Sequence, residues 1–227
     1  MKKWLLAAVV SLAAVNLATV LPEKKPVRIF YERFDRGANL WQFRTGSRWE
    51  IAADSGDTVL CLVEPGKIGK IRAPASWAVR KGVDVRGFVF QGRFRCTAPV
   101  NVSSRDLCVI FNFQDSVHFA YVHFSARSDR VHNIIGLVNG RDRVKINSEA
   151  PGRSEARLVD RRWHRFRVDF DARTGKVSAF LDDFSRPILT AVDTVLRHGS
   201  VGVGSFDDTG CFDDLCLWST GGSKGHR

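Results

Sequence analysis

The sequence predicts an all-β fold, a two-sheet antiparallel sandwich of the jelly-roll type. Three observations carry this. Residues 106 to 147 (DLCVIFNFQDSVHFAYVHFSARSDRVHNIIGLVNGRDRVKIN) read as four short strands in succession, joined by turns. After residue 22 no long stretch has helical periodicity, whereas short strand-like runs bounded by Gly, Pro, Asn and Asp recur to the end. With 19 Gly, 16 Phe and 6 Trp against 1 Met, the composition also favours β structure.

Strand alternation sorts the central stretch into two faces, because successive side chains of a strand point to opposite sides of its sheet. Leu107, Val109, Phe111 and Phe113 share one parity, and Cys108, Ile110, Asn112 and Gln114 the other. In the next strand Ala120, Val122 and Phe124 form one row, and Phe119, Tyr121, His123 and Ser125 the other. One face is uniformly apolar and suits packing against a second sheet. The other mixes aromatic rings with Tyr, His, Asn and Gln, which describes a groove.

Taken in order, residues 1 to 22 form a targeting segment, with Lys2 and Lys3 before the apolar run Trp4 to Leu21. This is the pattern of a secretory signal peptide, and it implies export to a periplasmic or extracellular space. A membrane is a partner only if that segment stays uncleaved. Val27 to Phe34 is the first strand, followed by Trp41 to Phe43 and Trp49 to Ala52 around a turn at Thr45-Gly46-Ser47. Thr58 to Val63 alternates. Residues 64 to 82, punctuated by Pro65, Gly66, Gly69, Pro74 and Gly82, read as a long loop over one edge. Val85 to Cys96 is a strand with Phe88, Phe90 and Phe94 on one parity. Beyond the central stretch, residues 148 to 161 are polar and loop-like. Trp163 to Asp171 and Lys176 to Leu181 make a hairpin about Ala172-Arg173-Thr174-Gly175. Val201 to Phe206 and Phe212 to Trp218 are the last strands, and the Gly-rich basic tail, 219 to 227, reads as disordered. The chain shows neither an internal repeat nor a linker, so residues 23 to 218 read as one domain.

The formal net charge is +11 and the pI about 9.9, with Arg spread along the chain rather than blocked. A basic surface favours anionic partners such as acidic or sulfated glycans, and it also simply keeps an exported protein soluble. No nucleic-acid motif is present. Of 5 cysteines, Cys96 and Cys108 are positioned to face one another across neighbouring strands, and Cys61, Cys108 and Cys216 also suit buried thiols acting as small apolar residues. An odd count leaves at least one free.

The run WHRFRVDFDARTGKVSAFLDD (163 to 183), with a Trp-His strand, a Gly turn and a strand ending in an Asp pair, resembles the strand pair of laminin G-like and other concanavalin A-like jelly rolls. The ending GSVGVGSFDDTGCFDDLCLW (199 to 218) is similar to the closing strands of exported bacterial members grouped with family 16 glycoside hydrolases and 3-keto-disaccharide hydrolases. The resemblance covers residues 27 to 218 and implies the fold. It does not select an activity, because this fold hosts lectins, hydrolases, lyases and adhesion modules. The Glu-x-Asp-x-x-Glu strand of family 16 glucanases, which supplies the carboxylate pair of retaining hydrolysis, is missing here, so glucanase chemistry is not expected. The resemblance also suggests a structural calcium between the first strand and the last, with Glu32, Asp35 and Asp213 in the matching positions. Such acids equally cap turns or pair with Arg.

The groove residues are the binding candidates: Asn112, Gln114, Tyr121, His123, Arg127, Asn133, Asn139, Arg143 and Lys145. A sugar offers hydroxyls and an apolar ring face, which calls for amides and charged donors beside aromatic platforms. Arg143 and Lys145 share a face and suit a carboxylate or sulfate. A zinc site of His118, His123 and His132 is disfavoured because His118 and His123 have opposite parity. If the protein is an enzyme, His123, His132 and Asp142 are the acid–base candidates, with Asp115 as a further carboxylate. Trp163 and His164 read as a structural pair, the Trp packed in the core. Three functions follow: a carbohydrate-binding domain gripping a glycan around Tyr121 and His123, a glycoside-processing hydrolase of the 3-keto-disaccharide type acting in the same groove, or a laminin G-like adhesion module.

Overall fold

The structure is a computed structural model that describes residues 25–148 and 157–221. The expected leader, residues 1 to 22, lies outside the described residues, as does most of the expected disordered tail. Among the described residues fifteen strands follow in chain order. They are β1 (Val27–Glu32), β2 (Trp41–Phe43), β3 (Arg48–Asp54), β4 (Asp57–Glu64), β5 (Ser76–Arg80), β6 (Phe88–Cys96), β7 (Asp106–Asp115) and β8 (His118–Ser125). After them come β9 (Ile134–Asn139), β10 (Val144–Lys145), β11 (His164–Asp171), β12 (Lys176–Leu181), β13 (Leu189–Val192), β14 (Ser200–Ser205) and β15 (Gly210–Ser219).

They build two antiparallel sheets. One has eight strands in the order β13-β12-β11-β6-β15-β4-β3, with β1 also paired to β15. The other has seven, β10-β9-β8-β7-β14-β5-β2. The sheets close on a phenylalanine-rich core. Phe88, Phe90 and Phe94 of β6 and Phe166 and Phe170 of β11 meet Phe111 of β7 and Phe124 of β8. Each such ring contributes about 1.5–3 kcal/mol by leaving water. The all-β jelly-roll sandwich expected from the sequence is the fold observed.

Several local expectations are corrected. Residues 64 to 82 are not all loop: Ser76–Arg80 is β5, inside the seven-stranded sheet between β14 and β2. Its first four residues are buried, so no polar alternation marks it. The β13 strand was not anticipated. Trp163 is not in the inter-sheet core. It lies on the outer face of the eight-stranded sheet, under Arg93 and Arg95 and beside Cys61 and Cys211. His164 instead points inward against Phe94, its two nitrogens held by Asp182 (2.8 Å) and Asp160 (3.1 Å). Finally, Cys61 is not a thiol: it is disulfide-bonded to Cys211, its direct cross-strand partner on β15, across 150 residues of sequence. Cys96 and Cys108 do not pair. They sit in different sheets and, like Cys216, are free and buried.

The disulfide closes a loop that contains β5 to β14. Replacing Cys61 and Cys211 by Ser is expected to lower unfolding free energy by about 2–5 kcal/mol, read as a lower urea midpoint, with a steeper slope because the denatured chain is no longer cross-linked. A second expectation concerns Asp160. Burial pushes its carboxyl up, but the Arg162 backbone and side chain and His164 outweigh this and hold it down at about 2. Its stabilisation is therefore present above the unfolded value near 3.8 and is lost as pH falls toward about 2. Asp160→Asn should lower the melting temperature at pH 6 and differ little from the parent near pH 2.

Candidate functional site

The face expected to be an open groove is largely filled. On the outer side of the seven-stranded sheet, Cys108, Ile110 and Phe113 of β7, Phe119 and Tyr121 of β8, Trp77 and Val79 of β5 and Val138 of β9 form a second apolar cluster with Ala73 and Phe206. The segment between β4 and β5 lies over it. Ile71 packs on the cluster, the Arg72 carbonyl accepts from the Arg143 N–H at 3.0 Å, and the Arg72 N–H donates to Asp142 Oδ1 at 2.8 Å.

Tyr121 is consequently fully buried, so it is not the exposed sugar platform that the sequence suggests. Its ring rests on Gly136, the residue paired with it on β9; a Cβ there would fall 2.3 Å from the ring. The hydroxyl has no hydrogen-bond partner, and burial pushes the phenol well above its ordinary range. Asn112 is also buried. Its left-handed conformation (φ 49°) bulges β7. That bulge turns Phe113 to the outer cluster, so it does not share a face with Leu107, Val109 and Phe111 as plain alternation predicts.

What stays open is a cleft of about 210 Å³ at one end of this face. Asp106, His123, His132, Arg143, Phe206 and Asp207 are among the residues lining it. The His123 and His132 rings are 5.5 Å apart, and the Arg143 guanidinium lies 4.6 Å over Phe206. A second recess of about 220 Å³ shares Arg72, Val131 and Arg143 with the cleft and adds Arg130, Asp142 and Lys145. Both volumes are below the roughly 300 Å³ at which pockets for drug-sized ligands begin.

Asp106 anchors the cleft floor. Its Oδ2 accepts from the Phe206 N–H at 3.1 Å and lies 3.1 Å from His123 Nε2, while Oδ1 accepts from Ser205 Oγ at 3.2 Å. Burial opposes its charge, but His123 and these donors outweigh burial and keep the carboxyl low. Asp207 and Asp208 bear the consequence. Burial first, then the Asp106 charge, raises both, Asp208 to about 6. The His123 Nε2 contact is an ion-pair distance without hydrogen-bond alignment, and neither ring nitrogen has a hydrogen-bond partner.

The structure thus brings together His123, His132, Asp142, Arg143 and Lys145. The remaining candidates go elsewhere. Asn133 is a buried turn residue whose amide bonds Ser125, Arg127 and Ser128. Asn112 Nδ2 donates to the Leu196 carbonyl, and Gln114 Nε2 to that of His198. Arg127 pairs with Asp129, and exposed Asn139 sits at the far end of β9 opposite His118. Asp115 pairs with His118. The acids proposed for calcium do not converge into a ligand set. Glu32 accepts from Trp41 and Arg80, Asp213 is bound by Arg93, and Asp35 is exposed. A hard cation at that place would compete with two guanidinium groups, so those residues do not fit calcium. Arg72, Asp106, Cys108, Phe206, Asp207 and Asp208 were missed by sequence reasoning. The shared parity of Asp106 and Cys108 with the polar face was the available signal.

No protein-family model matches the chain, and no curated protein matches it. Solved structures resemble it in fold. A carbohydrate-binding module, CBM66, from Bacillus subtilis superposes with a TM-score of 0.56 at 15% identity, covering 79% of this chain and 96% of that one. A Bacillus subtilis protein of unknown function with a galectin-like fold gives 0.55 at 13%, covering 86% and 96%. The metal-free form of lectin I-B4 from Griffonia simplicifolia gives 0.52 at 11%, covering 82% and 95%. At these identities the likeness is one of fold, and it is the jelly roll that the sequence resemblance implies.

The Tyr121–Gly136 contact generates a stability expectation. Gly136→Ala should displace the ring and lower stability by about 1–3 kcal/mol. Tyr121→Phe should be neutral or slightly stabilising, because it removes an unpartnered buried hydroxyl; denaturant midpoints of both variants check this.

Proposed function

We propose that the chain is an exported carbohydrate-binding jelly roll for an acidic glycan, and that a carboxylate or sulfate of the sugar enters the cleft and recess beside Arg143 rather than lying over Tyr121. The observation that carries this is the recess itself: among the described residues that line it, Arg72, Arg130 and Arg143 stand together beside the carboxylate of Asp142. Arg143 Nη1 is a buried donor without a hydrogen-bond partner, and an anion satisfies such a donor strongly. The net charge of +11 acts in the same sense. The disulfide suits an oxidising compartment, in agreement with the leader-like N-terminus. His132, held by Asp129, stands at the rim as a further donor.

A second reading has a specific observation in its favour. Asp106 and His123 meet on the floor of the cleft, as a general base and its orienting carboxylate would. In that reading the protein is a glycoside-processing hydrolase. Asp142 is the weaker acid–base candidate, because one of its oxygens is engaged by the Arg72 N–H.

A glycan array of the full chain at two salt concentrations, beside Arg143→Met, tests the binding reading. Uronate- or sulfate-bearing glycans should bind, more weakly at high salt, and Arg143→Met should lose roughly tenfold or more in affinity with an unchanged melting temperature. Binding to neutral glycans alone, or acidic binding that Arg143→Met leaves intact, overturns the placement. Release of reducing sugar from a bound glycan moves the weight to the hydrolase.

A further inference from the structure

At the floor of the cleft three buried side chains of different chemistry converge. Asp106 and Cys108 stand two residues apart on β7 and so share its outer face. The β7–β8 register sets His123 directly opposite Cys108. Cys108 Sγ is 3.6 Å from Asp106 Oδ2, and His123 Nε2 is 3.1 Å from the same oxygen. The three ligand atoms all lie within 4.8 Å of one another. The residues are 0%, 1% and 3% exposed for Cys108, Asp106 and His123.

A tetrahedral zinc ion, with about 2.0 Å to oxygen or nitrogen and 2.3 Å to sulfur, separates an O and an S ligand by about 3.5 Å and an O and an N ligand by about 3.3 Å. The observed spacings are close to both. His123 adds an independent sign. It is almost wholly buried, both of its ring nitrogens lack a hydrogen bond, and Nε2 nevertheless points to the carboxylate at contact distance. A close but misaligned N···O pair is what two ligands show when they share a third atom. Asp106, Asp207 and Asp208 also crowd within 4.8 Å of one another, in a cleft that Arg72 and Arg143 line as well.

We propose that Asp106, Cys108 and His123 form a binding site for a transition-metal ion of the zinc class. A mixed oxygen, sulfur and nitrogen set selects such an ion over calcium or magnesium, which take oxygen ligands. Asp106 and His123 line the cleft together with Asp207, so the three-ligand set has an entry path and room for a further ligand from that side. That is the form of a site that keeps an exchangeable ligand rather than a sealed structural one. Binding releases the Cys108 thiol proton, and any proton on His123, to solvent. The site stands whether or not a glycan occupies the recess beside it, since none of its three ligands is needed for the Arg143 contact.

The test is cobalt binding to the full chain with its disulfide intact, after treatment with a chelator. One equivalent of Co²⁺ should produce a thiolate-to-cobalt charge-transfer band and the intense visible bands of a tetrahedral ion, and Zn²⁺ should abolish both. Cys96→Ser with Cys216→Ser, which leaves Cys108 the one free thiol, should keep the band. Cys108→Ser should lose it, and His123→Ala and Asp106→Asn should weaken binding by tenfold or more. A folded parent with no charge-transfer band at stoichiometric cobalt overturns the proposal, as does a band that survives Cys108→Ser. Should Cys108→Ser fail to fold, the parent and the Cys96/Cys216 double variant decide alone: loss of the band in the double variant also overturns the site.

Discussion

The β7–β8 hairpin is buried on both faces, and the rest of the molecule is arranged around that constraint. A strand alternates strictly, so every second residue of these two strands must find a partner on each side of the sheet. On one side Leu107, Val109, Phe111, Ala120, Val122 and Phe124 meet the eight-stranded sheet. On the other, Cys108, Ile110, Phe119 and Tyr121 have no second sheet to meet. They are covered instead by the strand-poor segment before β5 and by Phe206 after β14. The polar cleft exists only where that cover ends.

The position of the cleft has a chemical consequence. Asp106, Cys108 and His123 occupy the outer face at the end of the hairpin where aromatic cover gives way to Asp207 and Asp208. Charge is held there by a dense set of donors, with the Phe206 N–H and Ser205 hydroxyl on Asp106. The neighbouring recess has the opposite sign, dominated by arginine. An acidic floor beside a basic recess is an arrangement suited to polar ligands. The eight-stranded sheet has its own charged face, where Arg93 joins Asp213, Asp57 and Asp214. Asp213 is held there by Arg93, as Glu32 is elsewhere by Arg80 and Trp41, so two of the three acids expected to bind calcium are taken up by the fold.

Much of the architecture is legible in the chain by itself. Alternation in β6, β7, β8 and β11, and the turn at Ala172-Arg173-Thr174-Gly175 between β11 and β12, are local features, and local features fix an all-β sandwich. The residue types facing outward from β8 were also readable, and so were Arg143 and Lys145 as neighbours on one face. Long-range decisions were not. Asp115 pairs with His118 at the tip of the hairpin, and an unshifted ladder from that turn would set Cys108 opposite Ser125. The bulge at Asn112 moves the register so that Cys108 faces His123 instead, and with that shift the buried cluster with Asp106 comes into being. Likewise the pairing of Cys61 with Cys211 depends on β15 entering the sheet between β6 and β4, across 150 residues. The covering of Tyr121 depends on residues 71 to 73, far from it in sequence. Alternation determined which side chains share a face because it acts between neighbours along the strand. Which face is closed, which ring is buried and which ligand atoms meet was decided by tertiary structure, because those are set by segments that only folding brings together.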